Sequence, residues 1–270
     1  MVIATVNEAT QVDNDTLSGK CGYLDLFMTC ADYPPQKIDR IVGGENAKIG
    51  EFPWQAKLAR KYGGGLICGG TLLCEKFVLT AAHCITHGGS AQPFSHENVQ
   101  IILGSHKLYG TDPREVKHEI KKWIVHPSYT PDPKYYYDVA IIELKEPAKF
   151  NKHVNTACLP NLEPNDESTV LISGWGKTQH AVGGPSKILQ KAEVDIISRE
   201  QCKDMYAKPL PSGQTGEITD LMICAARKGK DACQGDSGGM KSSSCYEIHH
   251  YSYIVTFLYT SQKRSNGQQH

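Results

Sequence analysis

The chain has 270 residues, 40% of them apolar and 21% charged, and its 29 basic and 29 acidic side chains cancel. That length suits one large domain or two small ones with a sizeable core. The neutral balance offers nothing to hold nucleic acid or a membrane surface, and no apolar run approaches the ~20 residues that span a bilayer.

Taken in chain order, residues 1–40 are polar and carry Cys21, Cys30 and the pair Pro34-Pro35, which reads as a linker or pro-segment. The opening Met1 to Glu8 is too short and too polar for a signal peptide, and Asn14-Asp15-Thr16 fits a glycosylation acceptor. Ten cysteines without any Cys-x-x-Cys pair point to disulfides and an oxidising, extracellular compartment rather than to zinc. Secreted cysteine usage without a leader implies a fragment or an incomplete N-terminus.

From Ile41 to about Pro160, short apolar strands alternate with Gly, Pro and Asn turns. Phe77-Val78-Leu79, Val99 to Leu103, Trp123-Ile124-Val125 and Val139 to Leu144 are examples. No long stripe of 3.6-residue period appears, so the pattern predicts an all-β chain with closed sheets. A second set starts near Val170-Leu171-Ile172 and Ala192 to Ile197. The Gly63-Gly64-Gly65 run lacks the strand-to-helix context of a phosphate loop and reads as a hairpin turn. His87, His96, His106, His118, His126, His153 and His180 have no metal spacing and read as surface histidines.

Asp231-Ala232-Cys233-Gln234-Gly235-Asp236-Ser237-Gly238-Gly239 is the stretch richest in chemistry. A serine hydroxyl needs a neighbouring base and a site for the developing oxyanion before it can act as a nucleophile. Gly235 and the glycines after Ser237 allow a tight turn whose N–H groups converge beside the hydroxyl. Alone, such a stretch reads equally well as a surface turn. Leu79-Thr80-Ala81-Ala82-His83-Cys84 and Tyr137-Asp138-Val139-Ala140 add a histidine and an aspartate, giving the chain order His, Asp, Ser.

With these motifs the chain resembles the trypsin-like, chymotrypsin-fold serine endopeptidases, whose triad has that order. Arg40-Ile41-Val42-Gly43-Gly44, Phe52-Pro53-Trp54-Gln55, Cys68-Gly69-Gly70-Thr71-Leu72 and Ser173-Gly174-Trp175-Gly176 extend the resemblance over Ile41 to Gly239. The resemblance implies two Greek-key six-stranded β-barrels with the site in the cleft between them. It implies a protease domain over 41–239, preceded by the segment 1–40 and followed by a divergent tail, 240–270. His83, Asp138 and Ser237 would be the triad, the N–H groups of Gly235 and Ser237 the oxyanion hole, and Asp231 the floor of a pocket selecting Arg or Lys. An exposed loop acid is the plain alternative for Asp231.

The resemblance further implies a zymogen opened by an activating protease after Arg40, with the new amino group of Ile41 pairing with Asp236. It implies protein substrates, serpin-type inhibitors, no cofactor and the disulfides Cys68–Cys84 and Cys202–Cys224. A Cys30–Cys158 bridge would tether the pro-segment, as in complement and clotting-type proteases, leaving Cys21 for a module outside this chain. Cys74 has no partner in the family pattern and reads as a free buried thiol. The family's calcium loop falls between Gly104 and His126. Asp112 and Glu115 are acids there, but Ser105 stands at the first acidic position, so no metal is expected.

After Gly239 the pattern breaks. Met240-Lys241-Ser242-Ser243-Ser244-Cys245 replaces the family's continuation, no Ser-Trp-Gly recurs, and 31 residues remain (270 − 239). Ile254 to Leu258 could supply one strand. The second barrel is therefore expected to be incomplete, and Cys233 loses its usual partner. A catalytically inactive, protease-like binding module or a truncated product is the alternative to a working endopeptidase.

Overall fold

The computed structural model describes residues 2–4, 45–63, 65–110, 112–131, 136–157, 166, 168–176, 185–207, 218–220 and 222–226. Six strands close into a barrel: β3 (Gln55–Arg60), β4 (Leu66–Cys74), β5 (Phe77–Thr80), β6 (Val99–Leu103), β7 (Val116–Val125) and β8 (Ala140–Leu144). Around the barrel the order is β3-β4-β5-β8-β7-β6, and every neighbouring pair is antiparallel. β5 and β8 are buried along their whole length and pair Val78 with Ile142 and Leu79 with Ile141. β7 alternates instead, with Lys117 and Glu119 outward and His118 and Ile120 inward, the signature of a strand wet on one face. Trp54, Leu58, Leu72, Ile101, Leu103, Ile120 and Ile142 fill the interior.

The second half is a five-stranded sheet. Its centre is β10 (Gln190–Ile197), paired along its length with β9 (Thr169–Gly174). β10 also pairs with β2 (Glu45–Asn46) at one end and β11 (Met222–Ala226) at the other. The helix α1 (Arg199–Tyr206) follows β10; Ser198 caps it by accepting from the Gln201 amide at 3.2 Å. Val170, Ile172, Val194, Ile196 and Ala225 form this half's own core.

The arrangement is the mainly β, two-part architecture expected from the strand pattern. Among the described residues the second sheet is open. Residues 227–270, on which the completeness of a second barrel turns, lie outside the described residues. From the segment read as linker or pro-segment, β1 (Val2–Ala4) adds an edge strand to β11, pairing Val2 with Cys224.

Two expectations need correction. Cys74 is no free thiol: it is disulfide-bonded. Cys68–Cys84 and Cys202–Cys224 are the other bonds formed among the described cysteines. Pairing is a fact of space that a residue's own sequence neighbours do not carry. Nor are all the histidines on the surface, since His118 and His126 are buried. His118 faces inward from β7, and His126 stacks on Tyr137 with ring centroids 4.8 Å apart.

Candidate active site

Two short-range devices place His83. It sits in a single 3-10 turn, Ala82–Cys84, directly after β5, and the Cys68–Cys84 disulfide ties that turn back to β4. Beneath it β4 and β5 approach closely. A Cβ on Gly70 would lie 2.9 Å from the Leu79 carbonyl oxygen and 2.9 Å from Val78 Cγ1, so only glycine fits. Thr80, the last residue of β5, donates its hydroxyl to the Gly69 carbonyl at 2.9 Å.

Asp138 precedes β8 and is buried. The turn that delivers it is strained: Tyr137 has φ +52°, and among the described residues it is the one non-glycine with positive φ. The Val139 amide donates back to the Tyr137 carbonyl at 2.7 Å, which folds the chain tightly around Asp138. The stacked ring of His126 packs against Tyr137 on the same turn.

The two side chains meet. His83 Nδ1 lies 2.6 Å from Asp138 Oδ2, and the His83 main-chain amide donates to Oδ1 at 2.8 Å. An ionised carboxylate only accepts, so the proton stays on Nδ1 and the lone pair on Nε2. Burial alone would lower the imidazole pKa. The charge of Asp138 and its hydrogen bond outweigh that effect and hold it above the usual value near 6.5. Chemically, this arrangement can supply a base of fixed tautomer, with an anion behind the ring to stabilise its protonated form, which is the part expected of His83 and Asp138.

Cys68, His83 and Cys84 bring their ligand-type atoms within 4.8 Å of one another. Both cysteines are in the disulfide and offer no thiolate, so this grouping is not a metal site. Beside the histidine turn a cleft of about 610 Å³ opens between Arg60, Ile67, Thr86, His87 and Phe94.

Ser173-Gly174-Trp175-Gly176 joins the two halves. Ser173 Oγ donates to Gln55 Oε1 at 2.8 Å, Trp175 Nε1 donates to the His106 carbonyl at 3.3 Å, and Trp175 belongs to the first barrel's core. At the start of the domain, Lys191 on β10 reaches Glu45 at 2.9 Å and Glu51 at 2.6 Å. Burial pulls the Lys191 pKa down, but the two carboxylates outweigh it and raise it. These ties were missed in the sequence because nothing in a lone lysine or serine names a partner more than a hundred residues away.

Of the site residues expected from the sequence, His83 and Asp138 are brought together, and Cys68–Cys84 and Cys202–Cys224 are formed. Arg40, Ile41, Asp231, Gly235, Asp236, Ser237, Cys30 and Cys158 lie outside the described residues.

The family model for trypsin matches residues 41–241. Among curated proteins, the heavy chain of a venom peptide isomerase from Agelenopsis aperta is 34% identical over 205 residues, 74% of this chain and 81% of that protein. Venom serine protease 34 of Apis mellifera is 37% identical over 208 residues, 74% of this chain and 47% of that protein. Transmembrane protease serine 9 of Rattus norvegicus is 39% identical over 75% of this chain, which spans 18% of that much longer protein. Among solved structures, mouse neuropsin, a serine protease, superposes with a TM-score of 0.60 at 33% identity, covering 74% of this chain and 81% of its own. With a model match over most of the sequence and a relative above 30% identity along most of its own length, the chain belongs to the trypsin family of serine endopeptidases.

Proposed function

We propose that this protein is a secreted endopeptidase that cleaves after Arg or Lys, using Ser237 as nucleophile, and that it is made as a zymogen. The observation that carries the reading is the His83–Asp138 pair, whose Nε2 is left as a base in a domain of the trypsin family. His83 takes the Ser237 proton as Oγ attacks the substrate carbonyl. It then delivers that proton to the leaving amine, and an acyl-enzyme forms. Water, deprotonated by the same imidazole, releases the acid and restores Ser237. The amides of Gly235 and Ser237 would hold the oxyanion, where one lost donor costs about 10²–10³ in turnover. Asp231 would select the cationic side chain through a charge-assisted hydrogen bond.

Activation follows from cleavage after Arg40 by another protease. Glu45 is pinned to Lys191, and Asn46 accepts from Gln190 at 2.6 Å, so the new N-terminus would be tethered at Glu45, four residues along the chain from Ile41. Four residues span about 14 Å at most, which limits how far from Glu45 the Ile41 ammonium can find Asp236. Removing either partner of such a buried pair leaves an uncompensated charge, worth about 3–5 kcal/mol. Formed disulfides suit an oxidising, extracellular compartment. Protein substrates, an activating protease and serpin-type inhibitors would be its partners, and a Cys30–Cys158 bridge would keep the pro-segment attached.

The test is cleavage after Arg40 followed by turnover of an Arg-ester substrate and labelling of Ser237 by a fluorophosphonate. Labelling with turnover supports the proposal. A folded, cleaved chain that neither labels nor turns over would sink it in favour of an inactive binding module, the reading that the departure after Gly239 favours.

A further inference from the structure

We infer that Lys57 supplies the resident cation of the loop between β6 and β7, so that this loop is locked without a metal ion. Lys57 lies on β3 with a buried side chain. Its Nζ is 2.5 Å from Glu115 Oε1, 3.0 Å from the Lys107 carbonyl oxygen and 3.4 Å from that of Leu108. An ammonium has three N–H donors, and here three oxygens receive them. Ser105 donates its hydroxyl to the same Glu115 oxygen at 2.8 Å. The Trp175 ring lies on another side, with its centroid 5.7 Å from Nζ.

Two carbonyls and a carboxylate converging on one point are the oxygen ligands a calcium ion would use, but calcium needs six to eight of them. Here the point is already filled by a positive charge. The loop's second acid is also spent: Asp112 accepts from the amides of His106 and Arg114 and from Arg114 Nη2 at 2.9 Å. Neither Glu115 nor Asp112 is left to draw a divalent ion. Bringing calcium in would force the ammonium into solvent or leave two cations side by side in a buried place, which is unfavourable either way.

The lock has a wider consequence. The same loop carries the seam between the two halves, since Leu108 N donates to the Lys187 carbonyl at 2.9 Å and Leu189 N to the His106 carbonyl at 2.8 Å. Lys57 therefore ties β3, the loop and Trp175 together where the first barrel meets the second sheet.

The experiment uses the full chain and two readouts. Tryptophan-sensitised terbium emission is titrated, because Trp175 would sit beside any ion bound in the loop. The melting temperature is measured in EDTA and in millimolar calcium chloride. The wild type is expected to give no terbium signal that Glu115→Gln removes, and one melting temperature in both buffers. Lys57→Met is expected to melt lower. Lys57→Met combined with Ser105→Glu is expected to recover part of the loss in calcium but not in EDTA, because a ligand that binds only the native state raises its stability. A saturable, calcium-displaceable terbium signal in the wild type that Glu115→Gln abolishes would overturn the inference. So would Lys57→Met melting at the wild-type temperature. If Lys57→Met does not fold, the wild-type terbium titration and buffer comparison still decide the matter.

Discussion

Asp138 grips His83 twice, through Oδ2 on the ring Nδ1 at 2.6 Å and through Oδ1 on the backbone amide at 2.8 Å. One carboxylate therefore sets both the tautomer of the base and the position of the turn that carries it. The residue before it, Tyr137, is held in a left-handed conformation to make that possible.

The raised pKa of His83 has opposite effects on stability and on catalysis. A group whose folded pKa lies above its unfolded value stabilises the native state fully below the unfolded value, near 6.5, and loses that contribution as pH rises through the folded value. The gap in urea midpoint between wild type and Asp138→Asn is thus expected to be wide below about pH 6.5 and to narrow above His83's own pKa. The base is useful only when neutral, so kcat/KM should climb over the range where this stabilisation fades. A gap that widens towards alkaline pH would contradict the assignment.

Asp112 sets an acid limit. Burial would raise its carboxyl pKa, but the side-chain and backbone donors of Arg114 and the amide of His106 outweigh it and bring it to about 2. The depressed value contributes stability above the ordinary carboxyl value near 3.8, and it is lost as pH falls through about 2. Asp112→Asn is expected to lower neutral-pH stability by about 2 kcal/mol and to flatten the acid limb of the unfolding curve. Chemical denaturation from neutral to acid pH checks both.

Gly70 is a steric requirement of the histidine turn. Gly70→Ala would press a methyl group against the Leu79 carbonyl and Val78. β5 must then shift, at a cost of about 1–3 kcal/mol for overpacking, and His83, three residues beyond Thr80, moves with it. A fall in kcat larger than the change in KM, with a lowered melting temperature, is the expected pattern.

Cys74 is expected to resist iodoacetamide in the unreduced, denatured protein and to react after reduction, because it is disulfide-bonded. Peptide mass mapping reads this directly and names the partner. An alkylated Cys74 without reductant would show the bond to be wrong.

Much of the molecule was legible in the sequence because its signals are local. Short apolar runs foretold the end of β7 and the buried β5 and β8, and short motifs around His83 and Asp138 pointed to those two residues. The Cys68–Cys84 and Cys202–Cys224 pairings came through resemblance rather than from the residues alone. Cys74, His118 and His126 were misread because burial and pairing depend on what the barrel folds over them. Lys57 gave no sign at all: a lysine in a strand looks like a solvent-facing residue until the loop and Trp175 close around it.

The sequence by itself determined the family and the β architecture, and it singled out His83 and Asp138 as the residues to bring together, since each is written in contiguous residues. The tertiary structure alone decided that Asp138 reaches His83 across 55 positions, that Lys57 occupies the cation point of the β6–β7 loop, and that Cys74 is bonded. These are meetings between distant segments. Their geometry is fixed by barrel closure and strand register, which no stretch of the chain encodes on its own.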